Sequence, residues 1–317
     1  AGNCHTIARV RNPEYYSESQ FLKDELGLAM VINPEFAAAS EIARVLRFPS
    51  AIKIDVFGRG REELLKFRLP ENSPLAGCAV KEIVTKLHCD VLVCTVERGD
   101  EVHIANGEFV FEEKDVISIV AATRKAGEFF RKIKYKMNSV KDVMVVGGGE
   151  IGHYLCEQLI RSGMSVKLIE KDPARCETLC ATLDDGVAVI NGDASDQNIL
   201  VESGLEQTGA FVALTNLDEE NILLSLFAKS VCDCKCVTKI NRIGFDNVIS
   251  KLDLDTIINP KSITSDTIVR YVRAMSSSRG SNMETLYNVI KGKVEAAEFI
   301  IKEDSPVIDV PLMELDL

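Results

Sequence analysis

No apolar run in this 317-residue sequence approaches the roughly 18–20 residues a membrane-spanning helix requires, so no segment is expected to cross a bilayer by itself. The opening AGNCHTIARVRNPEYY lacks the charged-then-apolar order of a secretory signal, which makes the cytoplasm the expected compartment. Positive charge is scarce as well. A formal net charge of −11 argues against nonspecific nucleic-acid binding and against adhesion to anionic lipid. The one local basic stretch, Arg124–Lys136, reads as a solvated helical linker. Histidine is limited to four residues, and the ten cysteines form no paired CxxC knuckles, so the usual zinc frameworks are missing. The densest cysteine run, Cys232-Asp-Cys-Lys-Cys236, would line three thiols along one face of a strand. Buried reduced cysteine behaves as a small hydrophobe, and no metal is expected there. What remains, 46% hydrophobic and 27% charged with nine prolines, is the composition of a soluble globular chain long enough for two ordinary domains.

The sequence repeats itself. Ala8–Asn12, the run ending Ile32-Asn33-Pro34, and Ile42–Arg44 form one copy; Thr238–Arg242, the run ending Ile258-Asn259-Pro260, and Ile268–Arg270 form the other. Proline donates no ladder hydrogen bond, so each strand should stop before it, and proline suits the start of the helix that follows. Lys66–Pro74 resembles Glu298–Pro306 in the same way. The order is therefore A–B–A′–B′, with the first A and the last B′ expected to be incomplete.

The complete A′ unit alternates short apolar runs with helical stretches, which predicts a parallel, doubly wound α/β sheet. Its strands are expected at Val143–Val146, Ser165–Ile169, Val187–Ile190, Phe211–Leu214, Cys236–Ile240 and Thr256–Ile258. Helices are expected at Ile151–Arg161, Pro173–Leu183, Gln197–Ser203, Glu219–Val231, Phe245–Leu252 and Ser262–Met275. The B unit predicts a small α+β domain with strands Leu64–Leu69, Asp90–Glu97, Glu108–Phe111 and Val116–Val120 and a helix Val80–Leu87. Lys125–Ser139 is expected to bridge B to A′ as a helix.

Chemistry concentrates at Gly147-Gly148-Gly149-Glu150-Ile151-Gly152, a glycine turn between an apolar strand and an amphipathic helix. Gly147 would permit the tight turn, Gly149 a close approach to a pyrophosphate, and Gly152 close packing of helix on strand. The helix N-terminus offers free N–H groups and its positive dipole end. The next strand ends in Glu170, 23 residues after Gly147, near the distance expected of an acid that binds ribose hydroxyls. Such an acid disfavours a 2′-phosphate and so favours NAD, ADP or ATP over NADP.

On the A–B–A′–B′ order, the glycine turn, Asn191–Asp196, Ala213–Asn221 and the ending Gly107–Val120, the sequence resembles the TrkA family of potassium-uptake regulators. That resemblance implies Rossmann-like RCK (KTN) domains alternating with small TrkA-C domains. It divides the chain into an RCK remnant at 1–50, a TrkA-C domain at 60–125, a linker helix at 126–139, a complete RCK domain at 140–280 and the start of a second TrkA-C domain at 281–317. It also implies that Gly147, Gly148, Gly149, Glu150, Ile151, Gly152, Glu170 and Lys171 surround the nucleotide. Asp193 and Ala194 would border the adenine, Thr215 and Asn216 the pyrophosphate, and Lys239 and Arg242 could reach a terminal phosphate. From the residues alone, the alternatives are that Asp193 caps a helix and that Arg242 sits on a solvated surface. Arg9 and Arg11 are the analogous basic positions of the first copy.

By the same resemblance, NAD/NADH or ATP/ADP would reshape a homo-oligomer, from dimer to tetrameric ring. The ring would lie at the inner face of the cell membrane under a Trk- or Ktr-type potassium-translocating subunit. The rival is an NAD-dependent oxidoreductase. His5, His88, His103 and His153 are its candidate proton carriers, and none has companions in a recognisable catalytic arrangement. A scaffold with an idle glycine turn is the third reading.

Overall fold

A computed structural model describes residues 4–11, 18–48, 51–57, 62–99, 101–135, 140–242, 249, 251–252, 254–277, 283–290 and 292–299, with 301–302, 305, 307–311 and 314–315 beyond them. The elements begin with β1 (Ile7–Arg9), α1 (Ser19–Leu26), β2 (Met30–Ile32), α2 (Pro34–Arg47), β3 (Ala51–Phe57) and β4 (Glu62–Arg68). Then come α3 (Glu82–Leu87), β5 (Leu92–Arg98), β6 (Glu101–Ile104), β7 (Val116–Ala122) and α4 (Thr123–Lys132). The central stretch holds β8 (Asp142–Val146), α5 (Glu150–Arg161), β9 (Ser165–Glu170), α6 (Pro173–Thr182), β10 (Val187–Asn191) and α7 (Gln197–Glu202). It is followed by β11 (Ala210–Ala213), α8 (Asp218–Val231), β12 (Lys235–Lys239), β13 (Thr256–Ile258), α9 (Pro260–Ser277), β14 (Met283–Ile290) and β15 (Val294–Phe299).

Two compact units result, one from residues 1–54 with 136–264 and the other from 55–135 with 265–317. In the first, a six-stranded sheet runs β10-β9-β8-β11-β12-β13, and every pairing is parallel. This is the doubly wound order in which the chain reverses direction between β8 and β11, and ligands bind such sheets at that switch point. Val145, Val212 and Val237 face one buried cluster, and Met144, Phe211 and Cys236 face the other. Both faces are therefore covered, which is why these strands read as continuous apolar runs.

The internal repeat is structural. β1 pairs β2 in parallel with Arg9 opposite Ile32, and β12 pairs β13 with Lys239 opposite Ile258. The bond after each pair is also the same, Val10 N to Ile32 O at 2.9 Å and Ile240 N to Ile258 O at 3.0 Å. Each strand stops before its Asn-Pro. Asn33 then caps α2 by accepting from Phe36 N at 2.8 Å, and Asn259 accepts from Ser262 N at 2.9 Å. The first copy does not stand alone. Ala38, Ala39, Ile42 and Leu46 of α2 share one buried cluster with Tyr154, Leu155 and Leu159 of α5. Asn33 Nδ2 donates to the Tyr154 hydroxyl at 3.0 Å, which itself reaches Arg11 O at 3.2 Å.

The second unit holds the sheet β3-β4-β7-β5-β6 and the antiparallel hairpin β14-β15. Here the sequence reading needs three corrections. The strand expected at Glu108–Phe111 is a single bridge, Val110 to Ala79, whereas Glu101–Ile104 is a strand paired with β5. The stretch 108–111 instead buries Phe111 and gives its Val110 carbonyl to Arg98 Nη2 at 2.9 Å, rather than extending a ladder. The basic linker, α4, is not simply solvated. Ala126, Phe129 and Phe130 are buried, and Phe67 packs edge-on against both phenylalanines at 5.9 and 5.0 Å. The apolar residues at helical spacing won over the flanking charges, which stay in water. The helix expected at Phe245–Leu252 lies largely outside the described residues.

Candidate functional site

Four glycines, Gly147, Gly148, Gly149 and Gly152, shape the turn at the switch point. Gly147 follows β8 with φ +105°, a conformation other residues rarely adopt, and donates to Ile169 O at 2.9 Å. An added Cβ there would touch the Leu214 carbonyl at 3.0 Å. At Gly148 it would strike Leu179 Cδ1 at 2.5 Å, and at Gly152 the Gly147 oxygen at 2.2 Å. Gly149 differs, for nothing lies within 4 Å of its would-be Cβ. It is the N-cap of α5, has no side chain to satisfy the helix, and the first intrahelical bond runs from His153 N to Gly149 O. The amides of Glu150, Ile151 and Gly152 thus stay at the helix mouth beside open space. That is the geometry of an anion site. A diphosphate is compatible with it, since no atom lies within 4 Å of where a Gly149 Cβ would stand.

Glu170 closes one side. Its Oε2 accepts from Gly148 N at 2.7 Å and its Oε1 from Asp172 N at 2.9 Å. Each carboxylate oxygen keeps a second lone pair for a ribose hydroxyl. Behind it, Asn191 Nδ2 holds Glu170 O at 3.1 Å and Lys171 O at 3.2 Å, fixing the strand end. Asp193 is bound to Ser195 N at 2.9 Å, and that backbone bond holds its carboxyl below the usual range. The helix cap is Asp196, which accepts from Asn198 N, so Asp193 shapes a turn and is not itself the N-cap. Ala194 and Ile151 are buried; Lys171 and Asn216 are exposed.

Across the switch point, Thr215 N donates to Asn221 Oδ1 at 2.8 Å. Lys239 corrects the sequence reading. It does not extend toward a terminal phosphate: it is buried, and its Nζ donates to Leu214 O at 3.1 Å. Leu214 is the residue whose carbonyl abuts Gly147, so the ammonium braces the turn from below. Burial pushes its pKa down. Arg242 lies on the surface, paired with Glu219 at 2.9 Å. Arg9 and Arg11 both bind Glu35 Oε1, at 2.8 and 2.9 Å.

Three residues escaped the sequence reading. Asn221, fully buried, joins Thr215 to Lys239 O at 2.9 Å. Asp218 accepts from Asn241 N and Arg242 N, both at 2.9 Å. Arg175 donates from Nε to Gly148 O at 2.8 Å. Asn221 and Asp218 lie inside the stretch Ala213–Asn221 already singled out; Arg175 carried no signal, since a basic residue in a helix's first turn opposes the dipole rule. Among the described residues no group of three or more His, Cys, Asp or Glu is arranged for a metal, and Cys234 and Cys236 are buried with their sulfurs 3.8 Å apart.

Residues 143–260 match the TrkA-N domain and residues 64–134 the TrkA-C domain. The chain is 30% identical over 274 residues to the Trk system potassium uptake protein TrkA homolog of Archaeoglobus fulgidus, covering 86% of this chain and 62% of that protein. It is 28% identical over 302 residues to TrkA of Haemophilus influenzae, covering 93% and 66%. The chain thus spans less than two thirds of the length of the Archaeoglobus relative. Among solved structures, the GsuK RCK domain superposes with TM-score 0.62 at 16% identity, covering 89% of this chain and 60% of that one. The GsuK channel bound to NAD gives TM-score 0.62 at 16% identity, covering 89% and 50%. These two establish a shared fold.

Proposed function

Because this chain belongs to the TrkA family, we propose that it is a nucleotide-binding regulator of a potassium uptake system, with NAD(H) or ATP/ADP docking at the mouth of α5. The observation that carries the reading is the meeting of Glu170 with the glycine turn, 2.7 Å from Gly148 N, beside uncapped helix amides and the open space at Gly149. Phosphates would take the amides of Glu150, Ile151 and Gly152, and the adenosine ribose would take Glu170. Thr215 and Asn216 border the path of the pyrophosphate, with Asp193 and Ala194 on the adenine side. Lys239 contributes through Leu214, not by contact.

The ligand acts as a switch, not as a reactant. His153, the histidine of α5, has its Nε2 3.6 Å from Glu157 of the same helix. A ligand moves an equilibrium only by binding two states unequally. α5 is suited to that role, because its far side is tied through Tyr154 to Asn33 and Arg11 of the first copy. The regulator would assemble as a homo-oligomer, dimer to ring, on a Trk- or Ktr-type membrane subunit at the inner face of the membrane. No helix among the described residues is long and apolar enough to cross a membrane.

Thermal unfolding of the purified chain with NADH, NAD, ATP or ADP tests the proposal, since a ligand that binds only the folded state raises the melting temperature. A rise with at least one of them, lost in Gly149→Val, is expected. No rise with any of the four, or steady oxidation of NADH by the chain, would sink it.

A further inference from the structure

Two carboxylates stand where an anionic ligand must enter. Glu170 lies against the turn, and Glu150, in the first turn of α5, is 44% exposed at its side chain. Phosphates and carboxylates repel, so a site of this kind needs a compensating cation. Among the described side chains that hydrogen-bond to the Gly147–Gly152 turn, the cation is Arg175. Its Nε donates to Gly148 O at 2.8 Å, and Nη2 reaches Glu150 Oε1 at 3.3 Å.

The placement is built. Asp172 caps α6 by accepting from Ala174 N at 3.0 Å, while its own N–H is held by Glu170. Pro173 opens the helix, and Arg175 follows in the first turn, facing the glycines. Gly148 is consequently gripped at both ends, its N–H by Glu170 and its C=O by Arg175. It has no slack, because Leu179 Cδ1 would stand 2.5 Å from a Cβ at that position. The Glu150 bond is long for a charged pair, and Nη1 makes no hydrogen bond among the described residues. The guanidinium therefore has donors to spare, in a planar array suited to phosphate.

We infer that Arg175 is a binding residue of the nucleotide site and sets how much phosphate charge that site accepts. The inference rests on the nucleotide reading above. Arg175 shields an incoming phosphate from Glu150 and Glu170, and its loss is felt more strongly as ligand charge rises from NADH through ADP to ATP.

Isothermal titration of the chain with NADH, ADP and ATP, using wild type, Arg175→Gln, Arg175→Lys and the double variant Arg175→Gln/Glu150→Gln, tests this. Arg175→Gln is expected to weaken NADH by about 10-fold and ATP by about 100-fold, the range of lost charged hydrogen bonds. Arg175→Lys keeps the charge without the Gly148 bond, and should recover ATP more than NADH. Adding Glu150→Gln to Arg175→Gln should do the same. Equal losses for all three ligands, with no recovery by lysine, would reduce Arg175 to a structural prop and overturn the inference. Binding of no nucleotide by wild type would overturn the nucleotide reading itself, an outcome visible before any variant is made. If Arg175→Gln does not fold, Arg175→Lys decides alone: a smaller loss of affinity for ATP than for NADH supports the inference, and equal losses overturn it.

Discussion

Gly152 backs so closely onto Gly147 that a methyl group on the one would lie 2.2 Å from the carbonyl oxygen of the other. Helix α5 and strand β8 can meet at that distance only without a Cβ, and the meeting aims the helix mouth. Gly152→Ala should cost about 3 kcal/mol, the upper range for overpacking, because the neighbour is backbone and cannot move aside. Gly149→Ala, into open space but at the N-cap, should cost the unliganded chain no more than about 1 kcal/mol while weakening the nucleotide response. Urea unfolding of both variants, with and without NADH or ADP, checks the contrast. Equal stabilities of the two unliganded variants would refute the packing argument.

Asn221 is buried with all its polar atoms engaged, to Thr215 N, Thr215 O and Lys239 O. Asn221→Leu leaves those backbone groups without partners. A loss of about 2–4 kcal/mol is expected from several unmet buried bonds, together with a disordered β11 crossing. Chemical denaturation measures the first, and amide exchange at Thr215 the second.

Lys239 predicts a pH dependence. Burial holds its ammonium below the ordinary 10.5, so the folded chain releases this proton before the unfolded chain does. Below the folded pKa both states are protonated and the cost of burial is fully present. Between the folded pKa and 10.5 the unfolded state binds more protons, so the contribution of Lys239 to stability rises with pH. The stability difference between wild type and Lys239→Met should be flat below the folded pKa and shift toward wild type as pH rises from there to 10.5. A pH-independent difference in urea titrations would contradict the buried placement.

Cysteine reactivity should follow burial. Burial pushes the Cys156 thiol up to about 12 and leaves it inaccessible, and Cys234 is also raised, chiefly through its contact with Cys236. Cys4 and Cys180 are exposed. A thiol reagent at about pH 8 should modify Cys4 and Cys180 first, and Cys156, Cys234 and Cys236 only on unfolding, because the thiolate is the reactive form. Mass spectrometry of timed samples reads the order; early labelling of Cys156 would argue against the packing of α5.

Much of the six-stranded unit was legible in the linear sequence. Strands buried on both faces read as unbroken apolar runs, and the glycine turn and the acid 23 residues after it do meet, Gly148 N donating to Glu170. The small domain was less legible. Its true strand Glu101–Ile104 is short, polar and at the sheet edge, so it carries little apolar signal, while the more apolar 108–111 went to a bridge and a core contact. The basic stretch after it was misread because its charges are more conspicuous than the three apolar residues on its inner face.

Sequence by itself determined what depends on local geometry: the turn at Gly147, the N-caps at Asn33 and Asn259, the repeated strand–Asn-Pro–helix unit, and the alternation that yields a parallel sheet. Each is a short-range matter of backbone freedom, capping or periodicity. Tertiary structure decided what depends on residues far apart in the chain: Lys239 under Leu214, Arg175 on the carbonyl of Gly148, and Asn33 against Tyr154. A side chain long enough to reach in several directions takes its partner from the elements packed around it, and nothing in its immediate neighbours specifies which will be there.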